Sequence, residues 1–310
     1  MQVEEELARL SAEKDMLLTI GVFDGVHLGH RYLISWLKKL AKQQDLVSGV
    51  ITFRRHPQEV LSPQTKLPFL TNLAQRTNLL KNEGVEAVIV LSFTPELAQL
   101  SARQFVGLLK KYLRMRGAVI GSDFALGRNR EGDTNTLRRL GQEMDFSVTI
   151  VPPILIDGEV VSSTAIRCAL AEGDVKRAQN LIGRPFSLHG RVIPGAGRGI
   201  ELGFPTANLD IDPQQALPAE GVYAGWVHID TLVHPSMTNI GRRPTFGGRE
   251  RSVEVYLPDY HSDLYGQELT IDIVERLRSE KKFDTPEELR KQIAEDVKQG
   301  KAILKNRGRN

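Results

Sequence analysis

Cysteine is nearly absent. The single one, Cys168, excludes an internal disulfide and any cluster of thiolate metal ligands. Such sparing use points to a reducing, cytoplasmic setting, and Cys168 itself reads as buried filler without a role. Long apolar runs are also missing. Met16–Phe23 has strand length, short of the roughly 18 residues a membrane span needs, so no membrane partner is expected. The opening MQVEEELARL is acidic and has no apolar stretch, which argues against a secretory or transit segment. Charge of one sign is not in excess: 41 Lys and Arg stand against 38 Asp and Glu. Apart from a basic tail (Lys298, Lys301, Lys305, Arg307, Arg309), read as solvated surface, the basic residues are dispersed. With aromatics at 6%, no dense basic stripe interleaved with rings exists to hold nucleic acid. A mildly basic balance still suits an enzyme for phosphorylated substrates. What is present is ordinary globular material, 41% hydrophobic over 310 residues, enough for two cores.

The first half alternates apolar runs with helical spacing. After an amphipathic helix over residues 1–13, the pattern predicts strands at Met16–Phe23, Leu46–Phe53, Ala87–Leu91, Gly117–Gly121 and Ser147–Val151. Helices are predicted at Gly29–Gln43 and Thr71–Asn82, and from a Ser101 cap to Arg116. Two short helices, Ser163–Glu172 and Val175–Leu181, close this half. The rhythm implies a Rossmann-like parallel sheet with helices on both faces and ligands at the carboxyl ends of its strands. After Gly183 the texture changes to short alternating segments at Phe186–Ile193, Gly221–Ile229, Val253–Leu257 and Gln267–Leu277, cut by Gly and Pro. That is the pattern of a small antiparallel barrel or sandwich. Thr285, Pro286 and Glu288 form a capping box for a last helix with Leu289, Ile293 and Val297 as its buried stripe. The fold class is therefore α/β followed by β, with domains at 1–184 and 185–310.

The first candidate site is Gly21–His30, GVFDGVHLGH, where a buried strand gives way to a helix. Gly21 and Gly25 let backbone approach a ligand, and the helix start beyond Gly29 offers free N–H groups to phosphate. His27 and His30 can donate hydrogen bonds to phosphate oxygens as charge builds in the transition state. The competing reading is that these histidines cap a helix or ligate a metal. Val161–Arg167, VSSTAIR, adds the hydroxyls of Ser162, Ser163 and Thr164, with Arg167 one turn into a helix. Either serine could be a plain N-cap. Paired with the histidine loop, the cluster reads as a clamp for a departing pyrophosphate, with Arg167 neutralising it.

These two motifs together resemble the FAD synthetase branch of the nucleotidyltransferase superfamily. ITFRRHPQEVL (Ile51–Leu61) and GSDFALGRNREGD (Gly121–Asp133) are also similar to that family's motifs. The resemblance implies adenylyl transfer from ATP to FMN, with His27 and His30 on the ATP phosphates. It places Gly21, Phe23, Asp24, Gly25, Gly29, Ser162, Ser163, Thr164 and Arg167 in the nucleotide site. His56, Pro57 and Asp123 would line the flavin–nucleotide cleft. The chain departs from the family at Arg54 and Arg55, where an acidic residue and a proline are common, and at Leu126, where an aromatic is common. The two arginines read as solvent-exposed, the other reading being contact with the FMN phosphate.

The second candidate site begins at RVIPGAGRGIELGFPTAN (Arg191–Asn208). Gly195, Gly197 and Gly199 make a loop able to wrap phosphates, although a barrel hairpin would explain them equally. Thr206 and Asn208 share a face of an extended stretch and offer neutral oxygens suited to Mg²⁺. Glu254 alternates with Val253 and Val255. It is either solvent-facing or a proton acceptor in a cleft. The run through GFPTAN, with PAEGVYA (Pro218–Ala224) and NIGRRPTF (Asn239–Phe246) in the same order, resembles the riboflavin kinase module. That resemblance implies a six-stranded antiparallel barrel with a C-terminal helix. It implies Mg²⁺–ATP on Thr206 and Asn208, and Glu254 as general base on the ribityl hydroxyl. It implies nucleotide or flavin contacts from Gly195, Gly197, Arg198, Gly199, Asn239 and Arg242.

Over residues 14–300 the chain is similar to bacterial proteins carrying both modules, making FMN from riboflavin and then FAD. The expected partners are riboflavin, FMN and ATP, with homo-oligomer formation left open. Three alternatives are a different nucleotidyltransferase, a kinase whose adenylyltransferase is impaired at Arg54, Arg55 and Leu126, and a non-catalytic flavin-sensing regulator. The last should lack Glu254, Thr206 or Asn208, and all three are present.

Overall fold

A computed structural model describes residues 2–10, 12–62, 64, 67–195, 197–245 and 248–307. The chain divides into two compact units, Met1–Ser163 and Thr164–Asn310.

The first unit runs α1 (Gln2–Arg9), β1 (Met16–Ile20), α2 (Leu28–Gln43), β2 (Val47–Phe53), α3 (Pro57–Leu61), α4 (Leu73–Asn82) and β3 (Ala87–Leu91). It continues with α5 (Pro95–Ala98), α6 (Ala102–Leu113), β4 (Met115–Gly121), α7 (Thr134–Met144), β5 (Ser147–Val151), and a small pair β6 (Leu155–Ile156) and β7 (Glu159–Val160). The main sheet is parallel throughout, in the order β3-β2-β1-β4-β5. Its central strands β1, β2 and β4 are largely buried on both faces, which is why their sequences show little alternation. Met16, Leu18 and Ile20 pack toward Phe105, Leu109 and Leu137 of α6 and α7. Leu17 packs toward Ile34 and Leu37 of α2, with Leu80 of α4 in the same cluster. The order reverses between β1 and β4, so the loops leaving these strands flank a topological switch point, where such sheets bind ligands.

Several expected boundaries move, among them that of α1, which ends at Arg9, and that of the strand expected at Val253–Leu257, which starts at Gly248. Helix α6 ends at Leu113, not Arg116, because Arg114 turns left-handed at φ 49° and its N–H returns to the Leu109 carbonyl. Strand β4 therefore starts at Met115. Strand β1 stops at Ile20, because the chain turns away at Gly21.

The second unit comprises most of α8 (Ser163–Glu172), then α9 (Val175–Ile182), β8 (Phe186–Ile193), α10 (Arg198–Glu201), β9 (Thr206–Ile211), β10 (Gly221–Ile229), β11 (Leu232–Thr245), β12 (Gly248–Tyr256), β13 (Glu268–Ser279) and α11 (Pro286–Arg307). Six strands close a barrel in the order β10-β11-β12-β9-β8-β13. Helix α11 packs on its outside, where Leu304 meets Ala224, Met237 and Val274. Gly300 lets the helix lie close to the barrel: a Cβ there would displace the Met237 thioether. Arg278 of β13 fixes the helix through both Asp296 oxygens, 3.0 Å each from its Nε, and Asp296 is 4% exposed. The buried stripe of α11 is thus Asp296, Gly300 and Leu304; Leu289, Ile293 and Val297 are only partly covered. Thr285 accepts from the Glu288 N–H at 3.2 Å, while the Glu288 carboxylate reaches the Asp284 N–H rather than that of Thr285. The expectation of a buried Cys168 is wrong: its side chain is exposed on α8, whose inward face is carried by Ile166, Ala169 and Leu170.

Candidate active sites

In the first unit the loop after β1 has an unusual backbone. Phe23, Gly25 and Val26 all have positive φ, at 55°, 82° and 39°. For a β-branched valine this is a strained conformation. Burial over-determines it: Phe23 and Val26 are 2% and 1% exposed. The Asp24 carboxylate completes the anchor, accepting from the Leu70 N–H at 2.9 Å and the Thr71 N–H at 3.0 Å. The Gly25 N–H donates to Thr71 Oγ1 at 3.0 Å, and a Cβ on Gly25 would press on Leu70. Asp24 thus anchors the loop with its carboxylate. The Gly21 N–H bonds to the Ile51 carbonyl.

This anchoring sets up the histidines. His27 is 5% exposed and caps α2, its Nδ1 accepting from the His30 N–H at 3.3 Å. An accepting Nδ1 puts the neutral ring's proton on Nε2, leaving a donor on the far side of the ring. Capping and ligand donation are therefore compatible roles. The His30 ring stacks on His27 at 3.6 Å with planes 17° apart, and Phe23 meets it at 5.0 Å. Burial, then the neighbouring His27 and Arg76, hold His30 well below the ordinary imidazole range, so it is neutral at neutral pH. A Cβ on Gly29 would crowd the His27 ring and the Val161 carbonyl.

The other expected residues fall into place to different degrees. Ser163 Oγ donates to the Asp24 carbonyl at 2.9 Å, joining VSSTAIR to the histidine loop across 139 positions. Ser162 is half-buried beside it. Thr164 and Arg167 lie on α8 in the second unit, Thr164 exposed and Arg167 half-buried. His56 caps α3, accepting from the Gln58 N–H at 3.2 Å while Glu59 closes the capping box, and Pro57 is the first helical residue. Asp123 follows β4 at the switch point and is exposed, its carbonyl accepting from Arg130. Arg54 and Arg55 are exposed. Leu126 packs on the sheet's core. The sequence reading missed Arg76, a 4% exposed arginine on α4 that donates to the Phe53 carbonyl at the end of β2.

In the second unit, strand register assembles the site. Glu254 of β12 lies directly opposite Asn208 of β9 on one side and Asn239 of β11 on the other. Side chains so paired point to the same face with Cβ atoms about 5 Å apart. Val253, Val255 and Leu209 take the buried face. Thr206 pairs with Tyr256, whose ring meets Phe204 edge-on at 5.4 Å. The glycine loop folds over this row. A Cβ on Gly195 would collide with the Asn208 carboxamide, and one on Gly199 with the Phe204 carbonyl. Gly197 has φ 73° and caps α10, whose first residue is Arg198. Arg242 is exposed and pairs with Glu220. Glu280, beside Glu220, is pushed up by burial and by that like charge. Of NIGRRPTF, Phe246 lies outside the described residues. Among the described residues no group of three or more His, Cys, Asp or Glu could hold a metal.

A histidine loop at the switch point of a parallel sheet and a polar row under a glycine loop on a barrel define a two-module, phosphate-transferring enzyme. The FAD synthetase family model matches residues 10–165 and the riboflavin kinase model residues 182–304. The chain is 37% identical to the bifunctional riboflavin kinase/FMN adenylyltransferase of Escherichia coli (strain K12) over 92% of this chain and 91% of that protein. It is 37% identical to the protein of that name from Pseudomonas fluorescens over 98% of each. A solved structure titled a macrolide-efflux protein from Streptococcus pneumoniae superposes with a TM-score of 0.88 at 32% identity, covering 96% of both chains. The efflux wording belongs to that title; no described helix here is long and apolar enough to cross a membrane. The chain belongs to the bifunctional riboflavin kinase/FMN adenylyltransferase family, with its adenylyltransferase N-terminal and its kinase C-terminal, and ATP as co-substrate of both.

Proposed function

We propose that His27 and His30 hold the ATP triphosphate in the N-terminal module while an FMN phosphate oxygen attacks the α-phosphorus. The bond to pyrophosphate breaks, and the charge on the leaving group is met by the histidine N–H groups, the Ser163 and Thr164 hydroxyls and Arg167. Gly21, Phe23, Asp24, Gly25, Gly29 and Ser162 shape this pocket, and His56, Pro57 and Asp123 border the flavin. The functional boundary is 184/185, which keeps the whole Ser162–Arg167 motif with the adenylyltransferase, although α9 packs on β8 and β13 of the barrel.

In the C-terminal module Glu254 takes the proton of the ribityl 5′-hydroxyl, whose oxygen attacks the γ-phosphorus and releases ADP. Thr206 and Asn208 would hold Mg²⁺, which when bound neutralises phosphate charge. Their oxygens suit a hard cation, and Gly195 and Gly199 let the loop backbone lie close against Asn208 and Phe204. Gly197, Arg198, Asn239 and Arg242 complete the nucleotide and flavin contacts. The observation that carries this reading is the register that sets Asn208, Glu254 and Asn239 in one row.

The enzyme is proposed to be cytoplasmic, acting on riboflavin, FMN and ATP without nucleic-acid or membrane partners; solution mass would reveal any homo-oligomer. Incubation with riboflavin, ATP and Mg²⁺, followed by chromatography of flavins, tests the assignment. FMN and FAD together are expected. FMN alone would retire the N-terminal site, and neither product would overturn both.

A further inference from the structure

Arg76 has no place in the reaction as described so far. It is 4% exposed on α4, and one guanidinium nitrogen donates to the carbonyl of Phe53, the last residue of β2. Its Nε is buried with no hydrogen-bond partner, as is Nδ1 of His30. Burial opposes its charge, while Asp24 from the loop after β1 and Glu59 from α3 support it. Its field also reaches His30. A buried guanidinium with an unsatisfied donor is a poor structural element, since an apolar side chain of similar volume would serve packing better. One bond holds it to the end of β2, and its charge acts on Asp24 and His30 of the loop that leaves β1.

We propose that Arg76 is a positioning residue of adenylyl transfer, tying the carboxyl end of β2 to the histidine loop and setting the state in which that loop meets the triphosphate. The inference rests on the assignment of His30 to the triphosphate site. The groups facing His30 are His27, stacked on it, the Phe23 ring, and Arg76 from α4; Asp24 and Glu59 face Arg76 in turn. A fixed cation disfavours protonation of the nearby imidazole, as does the second imidazole. Burial comes first in keeping His30 uncharged and these two groups add to it, so the stacked rings do not repel and His27 retains its capping bond. The same guanidinium fixes the Phe53 carbonyl, from which the His56–Pro57 turn departs.

The test uses the full-length chain carrying Arg76→Gln or Arg76→Lys. Adenylyl transfer from supplied FMN is measured from pH 5 to 9, His30 is titrated by NMR, and the urea midpoint of the N-terminal unit reports its fold. Arg76→Gln should lower adenylyl kcat by about tenfold or more, with a smaller change in the KM for ATP. It should raise the His30 titration by about half a unit or more, and Arg76→Lys should leave that titration near wild type. An unmoved titration in Arg76→Gln, or undiminished adenylyl transfer, overturns the proposal. If Arg76→Gln does not fold, Glu59→Gln carries the test: with less of the arginine's field offset, the His30 titration should move down, and no movement overturns the proposal. Full adenylyl activity in His30→Ala would instead sink the assignment of His30, which separates the two failures.

Discussion

The Ser163 hydroxyl donates to the Asp24 carbonyl at 2.9 Å, so two motifs 139 residues apart in the chain meet at the carboxyl edge of one sheet. The bond uses the backbone of Asp24, while its carboxylate is committed to Leu70 and Thr71. Loop conformation and motif pairing therefore depend on different atoms of one residue, and different substitutions separate them. Ser163→Ala removes the link between motifs together with the hydroxyl proposed to face the leaving group, and leaves the Asp24 carboxylate anchor in place. Adenylyl transfer from supplied FMN should fall about tenfold, matching loss of roughly one hydrogen bond, while riboflavin phosphorylation stays within about twofold. Steady-state rates of both reactions check this.

Asp24→Ala should act on stability first. It leaves the buried N–H groups of Leu70 and Thr71 without their acceptor and releases a loop held at positive φ. A cost of about 2–4 kcal/mol to the N-terminal unit is expected, read as a lowered urea midpoint for that unit.

Gly195→Ala should affect the other module. The added methyl meets the Asn208 carboxamide, so either that side chain or the loop must shift and the polar row is disturbed. Riboflavin phosphorylation should fall by about tenfold or more, with adenylyl transfer from FMN held within about twofold.

His30 also gives stability a pH dependence. Its folded pKa is lowered, so between that value and the ordinary imidazole pKa the unfolded chain binds the extra proton. The contribution is present above about pH 6.5 and is lost as pH falls toward the folded value. Thermal midpoints from pH 8 to 5 should decline on acidification, and His30→Gln should flatten part of that slope.

Much of this was legible in the sequence because the governing forces are local. Apolar runs identified the five strands of the sheet, and Thr206, Asn208 and Glu254 sit on the face that alternation assigns them. What was illegible depends on distant partners. Arg76 reads as one more polar residue of α4 until the Phe53 carbonyl, 23 positions away, accounts for its burial. Asp24 reads as a ligand until Leu70 and Thr71 claim its carboxylate. Helix α6 overran its end in the sequence reading because its left-handed stop is Arg114, with no glycine to mark it. Strand β11 was hidden by Pro235 and Gly241, which usually interrupt strands.

The central claim is two separate chemistries on two separate sets of residues. Glu254→Gln tests it most directly, because it preserves shape on β12 and removes the proposed proton acceptor. Given riboflavin, ATP and Mg²⁺, this variant should form FMN at least about a hundredfold more slowly. Given FMN and ATP, it should form FAD at the wild-type rate. Loss of FAD formation from supplied FMN, or undiminished phosphorylation of riboflavin, would contradict the account.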